Sequence, residues 1–256
     1  MLAVRDIRKD YGPVAVLKGV SFDIAARRSL AVIGPNGAGK TTLMKVVTGE
    51  VPAESGSVRF DDRDVTAQAA HLRVRAGIGR TFQVSRVFLE NSVLDNAVIA
   101  VEARLRSAGE TLGRWYATQP KPAVRDEAEQ RLRAIGLDSK RDVRAAFLSH
   151  GDRKRLELAL ALALNPRVLV LDEPTAGMSP PERRRTVELI AGLREANGLT
   201  LLLTEHDMGV VYDLADELMV LNYGAVIARG TADEIRADPL VREVYLGQEM
   251  VHAQGH

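Results

Sequence analysis

Apolar residues along this chain recur at different spacings, and the changes of spacing divide it into segments. Val20, Phe22 and Ile24 alternate with polar Ser21 and Asp23, the period of a strand with one buried face. Residues 29–33 form a short apolar run with Gly34 behind it, the pattern of a buried strand entering a tight turn. Residues 41–47 predict a helix stopped by Gly49 and Pro52. Residues 57–60, followed by Asp61-Asp62, predict an outer strand ending in a turn. From about 91 to 165 the pattern is helical, with apolar side chains in 91–106 and 124–135 at spacings near 3.6. Between them, residues 109–122 hold two prolines and the only tryptophan, Trp115, and predict a surface excursion. Beyond Pro166, residues 168–171 and 200–203 are unbroken apolar runs, as strands buried on both faces of a parallel sheet are. Residues 181–195 and 208–215 predict helices between and after them. Residues 218–221 and 225–228 flank Asn222-Tyr223-Gly224, a hairpin turn. The expected fold is an α/β core interrupted by a helical insertion, without internal repeats.

Composition narrows this only a little. Of 256 residues 46% are hydrophobic, enough for one large core or a core with a lobe. Thirty-five basic against 34 acidic residues leave a charge of +1, which gives no electrostatic footprint for nucleic acid. The absence of cysteine excludes disulfides and thiolate metal sites. Met1-Leu2-Ala3-Val4-Arg5-Asp6 places charge where a signal peptide needs an apolar run. The longest apolar runs, such as 158–164, fall short of the ~20 residues of a membrane span. A soluble, cytoplasmic chain is expected, with any membrane role coming through a partner.

Gly34-Pro35-Asn36-Gly37-Ala38-Gly39-Lys40-Thr41 lies between a predicted strand and a predicted helix and matches the phosphate-binding P-loop pattern. Glycines let such a loop turn its N–H groups inward around phosphate oxygens, and the helix N-terminus adds partial positive charge. Lys40 can reach the β- and γ-phosphates, the Thr41 hydroxyl can hold Mg²⁺, and Thr42 is counted among the nucleotide contacts. Residues 168–171 end in Asp172-Glu173. An apolar strand ending in an acid delivers a carboxylate to the mouth of the sheet, where Asp172 can hold the Mg²⁺ shell. Glu173 is the neighbour placed to polarise an attacking water. Two acids at a strand end are common; their pairing with the P-loop makes them a metal-and-base element. ATP and Mg²⁺ are the expected substrate and cofactor.

Leu148-Ser149-His150-Gly151-Asp152-Arg153-Lys154-Arg155 leads into an apolar helical run at 156–164. Ser149 reads as a helix N-cap, followed by a glycine and an acid in the first turn. The same geometry offers a hydroxyl and free backbone N–H groups to an anion. Both readings stand at this point.

With these elements in this order, the chain resembles the ATP-binding-cassette (ABC) family over nearly its whole length. Leu148 to Asp152 resembles the family's signature motif, and Gln83, in Arg80-Thr81-Phe82-Gln83, its loop glutamine where the helical insertion begins. Ala176-Gly177-Met178-Ser179 resembles the loop after the Mg²⁺ strand, and His206, in Thr204-Glu205-His206-Asp207, the switch histidine. Tyr11 stands where the family keeps an aromatic residue to stack on adenine, although a tyrosine at the edge of a core would look the same.

The resemblance implies an α/β fold: a P-loop NTPase (RecA-like) core, an N-terminal antiparallel β region and an inserted α-helical subdomain. It implies one ATPase domain over 1–240, with the core at 1–83 and 166–240, the helical subdomain at 84–165 and a tail at 241–256. Glu173, His206 and Gln83 take catalytic roles in it, Gln83 also touching the metal with Thr41 and Asp172. Ser149 and Gly151 would close on ATP held by another chain in a head-to-tail dimer, a homodimer or a heterodimer with a paralogous ATPase. Two positions depart from the usual signature: His150 replaces a glycine and Asp152 a glutamine. A carboxylate at 152 suits a first helical turn but is expected to repel a triphosphate slightly.

One cassette without a membrane segment resembles the separate ATPase subunit of a bacterial importer. Gly79-Arg80-Thr81-Phe82-Gln83 with Arg86-Val87-Phe88, and Glu205-His206-Asp207-Met208, resemble the group serving branched-chain amino-acid, urea or amide uptake. So does the ending at 230–247, with Asp238-Pro239 and Tyr245-Leu246-Gly247. Integral-membrane permease subunits, received by the helical subdomain, are the implied partners, with the chain peripheral on the inner face of the membrane. A nucleic-acid-linked cassette and a membrane-associated regulator are the competing readings.

Overall fold

The computed structural model describes residues 1–81, 87–110 and 120–244. The chain opens with a hairpin of β1 (Leu2–Tyr11) and β2 (Val14–Ile24). The inward residues of β1 are Leu2, Val4, Ile7 and Lys9. An irregularity between Val4 and Ile7, with Asp6 at φ 45°, shifts the alternation by one residue. That shift hides β1 from a period-two reading.

The chain then enters β3 (Ser29–Ile33), every residue of which is buried, and α1 (Lys40–Thr48), closed by Gly49 at φ 76°. β4 (Ser55–Phe60) and the short β5 (Arg63–Asp64) complete an antiparallel sheet of order β2-β1-β4-β5. α2 (Ala70–Ala76) follows, and its Arg73 anchors the far end of α1. The buried Arg73 guanidinium donates to Val46 O and Val47 O at 2.8 and 2.7 Å, capping the last turn of the P-loop helix.

β6 (Ile78–Arg80) precedes the helical insertion, α3 (Val93–Ser107), α4 (Pro122–Ala134) and α5 (His150–Ala163). α3 starts at a reciprocal capping box of Ser92 and Asp95, and α4 carries Pro122 at its first position. β7 (Val168–Asp172), α6 (Pro180–Asn197), β8 (Thr200–Thr204) and α7 (Met208–Leu214) return the chain to the sheet. The hairpin of β9 (Glu217–Asn222) and β10 (Ala225–Gly230) and the helix α8 (Ala232–Ala237) follow. Tyr223 and Gly224 between them both have positive φ, as a two-residue hairpin turn of the primed type requires.

The main sheet runs β10-β9-β3-β8-β7-β6, parallel except for the edge strand β10. One face packs with α1 and the antiparallel sheet through Leu30, Val32, Leu43, Val47, Val58 and Val170. The other packs on α5, α6 and α7 through Ile33, Leu158, Leu171, Ile190, Leu203 and Val211. α3 and α4 meet α5 in a third cluster that includes Val93, Ala128, Leu132 and Leu156. α5 serves two cores: Leu158 and Leu162 face the sheet, and Leu156, Ala159 and Ala163 face the insertion. A helix buried on two sides reads as apolar nearly all round, which is why 156–164 shows no clear polar face. In a parallel sheet the C-terminal strand ends gather functional side chains, and β3, β7 and β8 are neighbours there.

Candidate functional site

The loop after β3 is shaped by two glycines. Gly34 has φ 146°, and a Cβ there would lie 2.0 Å from the carbonyl oxygen of Leu221 on β9. Gly37 has φ 79° at the exposed tip of the loop. A side chain is sterically refused at the first and conformationally disfavoured at the second. Pro35 and Asn36 fill the loop between them, and Ala38 and then Gly39, at φ 103°, lead into α1. That helix has no side-chain cap, so its first-turn N–H groups are kept for another acceptor. The Lys40 ammonium donates to Gly34 O at 2.6 Å and Pro35 O at 3.0 Å. Burial pushes the Lys40 pKa down, while the negative charges of Glu173 and Asp172 push it back up. Those two acids are therefore its electrostatic neighbours, and the P-loop faces the end of β7. Thr41 and Thr42 follow half-buried on the same turn.

Asp172 is 1% exposed at the last position of β7. Its Oδ1 accepts from the Thr204 hydroxyl at 2.8 Å and its Oδ2 from the Arg80 guanidinium at 2.9 Å. Glu173 sits at φ 50°, a left-handed conformation that costs a residue other than glycine about 1–3 kcal/mol. Its N–H donates to Thr204 O at 3.1 Å, which turns the chain off the strand. The Glu173 Oε1 then lies 3.0 Å from His206 Nε2. A carboxylate only accepts, so Nε2 is the protonated nitrogen in this pair. β8 supplies His206 just past its end, and the intervening Glu205 is buried. One oxygen of Glu205 accepts from Thr175 N at 2.8 Å and Thr175 Oγ1 at 2.7 Å, the other from His206 N at 3.1 Å. Glu205 thereby ties the loop after β7 to the loop after β8.

Ser149 is the N-cap of α5, its Oγ accepting from Asp152 N at 3.1 Å. Gly151 faces the start of α6, where a Cβ would stand 3.2 Å from Glu182 Oε1. His150 Nε2 lies 3.0 Å from Ala176 O, so the start of α5 is joined to the loop after β7 of its own chain. Asp152 is 3% exposed and ion-paired with both Lys140 and Arg155. Burial alone would raise its pKa, but Lys140, Arg155 and Ser149 together hold it below the usual carboxylate range. Within the chain this charge is paired with those two cations.

Tyr11, at the end of β1, is 48% exposed, with the Lys9 ammonium 5.5 Å from its ring centroid. It pairs with Val14 two residues before Val16, whose carbonyl oxygen would meet a Cβ on Gly39 at 2.9 Å. The hairpin β1–β2 thus meets the P-loop through Val16, with the exposed Tyr11 at its turn. Gln83 lies outside the described residues, as do Phe82, Arg86, Trp115 and 245–247.

The structure brings Lys40, Asp172, Glu173 and His206 to one set of strand ends, and leaves Ser149 and Gly151 on the insertion. Arg80, Thr204 and Glu205 stand in the sequence only as neighbours within motifs, with no role of their own. Each acts on a partner more than 25 positions away, so no local pattern marks them. The available signal was positional: a cation ending the strand before the insertion, and an acid just before the histidine. The arrangement fits a nucleoside triphosphate, with an uncapped helix and a lysine for phosphates. It also fits Mg²⁺, for which a carboxylate and a hydroxyl are hard oxygen donors.

A family model described as "ABC transporter" matches residues 17–176, and one described as "Branched-chain amino acid ATP-binding cassette transporter" matches 225–250. The chain is 36% identical over 255 residues to the high-affinity branched-chain amino acid transport ATP-binding protein LivG of Salmonella typhimurium, covering 97% of this chain and 98% of that protein. It is 34% identical over 251 residues to BraF of Pseudomonas aeruginosa, named for the same transport, at the same coverage. It is 33% identical over 248 residues to the lipopolysaccharide export system ATP-binding protein LptB of Escherichia coli, again at that coverage. Among solved structures, a nucleotide-free ATP-binding cassette from an ABC transporter superposes with a TM-score of 0.84 at 32% identity, over 96% of this chain and 98% of that one. A cassette in its ADP conformation gives 0.83 at the same identity and coverage. The phosphate loop, the acidic strand end and these matches over nearly the whole length agree, and the chain belongs to the ABC transporter family as one of its ATP-hydrolysing cassettes.

Proposed function

We propose that this chain is the ATPase subunit of a multi-subunit importer for branched-chain amino acids, or for the chemically related urea or amides. The convergence of Lys40, Asp172, Glu173 and His206 at neighbouring strand ends carries the reading of the reaction. The names of LivG and BraF, and the match at 225–250, support the solute class.

In this reading the N–H groups of 36–42 and the Lys40 ammonium hold the triphosphate, with Tyr11 against adenine. Mg²⁺, when bound, would neutralise the charge that develops on the phosphate oxygens. Thr41 and Asp172 would be its protein donors, with Gln83 joining them. Glu173 takes a proton from the attacking water, and His206, donating to Glu173, holds that carboxylate in position. Ser149, Gly151 and the first turn of α5 close on the γ-phosphate of a second chain, homologous or identical.

Residues 1–83 and 166–240 form the nucleotide-binding core of one domain, 84–165 its helical subdomain and 241–256 a tail. Phe88, Leu89 and Phe147 are exposed on the helical side, with Ala146 N donating to Leu89 O at 3.0 Å. An apolar patch of this kind suits a helix offered by a permease subunit. No helix of the described residues is long and apolar enough to cross a membrane, and the chain works as a peripheral protein on the cytoplasmic face.

Purification of the chain from its own cells in mild detergent should bring polytopic membrane proteins with it. Disrupting its gene should lower uptake of labelled leucine, isoleucine and valine. Recovery of nucleic acid in place of membrane proteins, with uptake unchanged, would overturn this function. The adenine contact has a smaller test. Tyr11→Ala should weaken ATP binding by about 1 kcal/mol, the scale of an aromatic stack, and Tyr11→Phe should be nearly neutral. Equal damage from both, measured by calorimetry, would assign Tyr11 a hydrogen-bonding role instead.

A further inference from the structure

Arg80 closes β6, opposite Val170 of β7, and its side chain is 6% exposed. Its Nη2 donates to Asp172 Oδ2 at 2.9 Å. Its Nη1 is ion-paired with the Glu50 carboxylate and lies 3.3 Å from Thr48 Oγ1, and its Nε donates to Thr81 O at 3.2 Å. Thr48 is the last residue of α1 and Glu50 lies just beyond it. One guanidinium therefore spans the carboxyl end of β7 and the carboxyl end of the P-loop helix.

A carboxylate has about four lone-pair sites. The Thr204 hydroxyl takes one on Oδ1 and Arg80 one on Oδ2, which fixes the plane of the carboxylate and leaves one site on each oxygen. We propose that Arg80 is a positioning residue for the metal-dependent step. It sets the direction of the free lone pairs of Asp172 and braces α1 against β7, so that Thr41 and Asp172 keep their mutual placement. This rests on the assignment of Thr41 and Asp172 to Mg²⁺ given above. A cation beside a metal-binding carboxylate would by itself compete with the metal. Glu50 answers this by drawing on the other side of the same guanidinium. A planar fork can hold two acids at once where a lysine ammonium acts as a point charge, so the site calls for arginine.

Three roles for Arg80 make different predictions. A positioning residue, when lost, raises the Mg²⁺ requirement; outer partners of metal ligands are worth about 10–100-fold in metal affinity. A mere competitor, when lost, lowers it. A purely structural counter-ion leaves it unchanged and lowers only thermal stability.

The test uses the full-length chain and follows thermal stabilisation by a fixed ATP concentration as Mg²⁺ is raised. Arg80→Met should shift the Mg²⁺ midpoint upward about tenfold or more, while stabilisation by ATP in EDTA stays as in the wild type. Arg80→Lys should recover part of the shift. Glu50→Gln should show a smaller upward shift, and these two carry the test should the methionine variant fail to fold. Asp172→Asn is the control. If it moves the midpoint and the Arg80 and Glu50 variants do not, or move it downward, the proposal is overturned and the metal assignment stands. If Asp172→Asn does not move it either, the metal assignment itself fails and takes the proposal with it.

Discussion

Glu173→Gln is expected to bind ATP with Mg²⁺ and to lose turnover by about 10²–10⁴-fold, the usual contribution of a general base. The direction in which this side chain leaves the main chain does not depend on its charge. It is set by the backbone, which holds φ at 50° through hydrogen bonds from Glu173 N to Thr204 O and Oγ1 at 3.1 and 3.3 Å. A glutamine inherits that backbone, and its amide oxygen can still accept from His206 Nε2. What is removed is the negative charge, which also acts on Lys40, and with it the capacity to take a proton. Nucleotide affinity should therefore persist, and an ATP-bound dimer should accumulate and elute earlier in gel filtration. His206→Ala is expected to slow turnover less, because the carboxylate keeps its backbone anchor and loses only its 3.0 Å contact. A glutamine variant that hydrolyses ATP at the wild-type rate would remove Glu173 from the role of base.

That a candidate base is legible in the sequence at all reflects how local its signals are. The P-loop and the β7 end are contiguous motifs on strands buried on both faces, and continuous apolar runs such as 29–33, 168–171 and 200–203 are hard to misplace. The observed elements β3, β7 and β8 extend those runs by no more than one residue. The signal fails where geometry breaks the period or acts at a distance. β1 was invisible because its bulge at Asp6 moves Ile7 onto the face that strict alternation gives to polar residues. The six-residue α8 and the three-residue β6 are too short for a period to establish itself. Asp152 looked like an isolated acid in a first turn because neither Lys140, on a turn twelve residues back, nor burial can be read from the motif. Ser149 was open between an N-cap and an anion site. The structure gives it the N-cap bond, and the two are compatible because that bond occupies an oxygen lone pair and not the hydroxyl proton.

Two inactive variants are expected to restore activity to each other. Lys40→Ala removes the ammonium that the P-loop holds against Gly34 O and Pro35 O, and with it a charge-assisted contact to phosphate. Loss of one such contact in a water-poor site costs about 10²–10³-fold or more in kcat. Ser149→Arg places a long cation at the start of α5, where its bulk blocks the approach of another chain. In a dimer whose sites each join one P-loop to the other chain's signature, a mixed pair concentrates both lesions in one site. The other site then combines an intact P-loop with an intact Ser149 and Gly151. The motivation is geometric: within its own chain the turn 149–152 bonds to residues 140, 155 and 176, on the insertion and on the loop after β7. Equal mixing should give roughly a quarter of wild-type activity, since about half of the dimers are mixed and each holds one intact site of two. A tandem fusion of the two variants removes the dependence on association, and a wild-type/Lys40→Ala fusion reports whether one intact site can turn over alone. Activity in that control with none in the mixed fusion would place Ser149 and Gly151 on their own chain's nucleotide and end the composite-site reading.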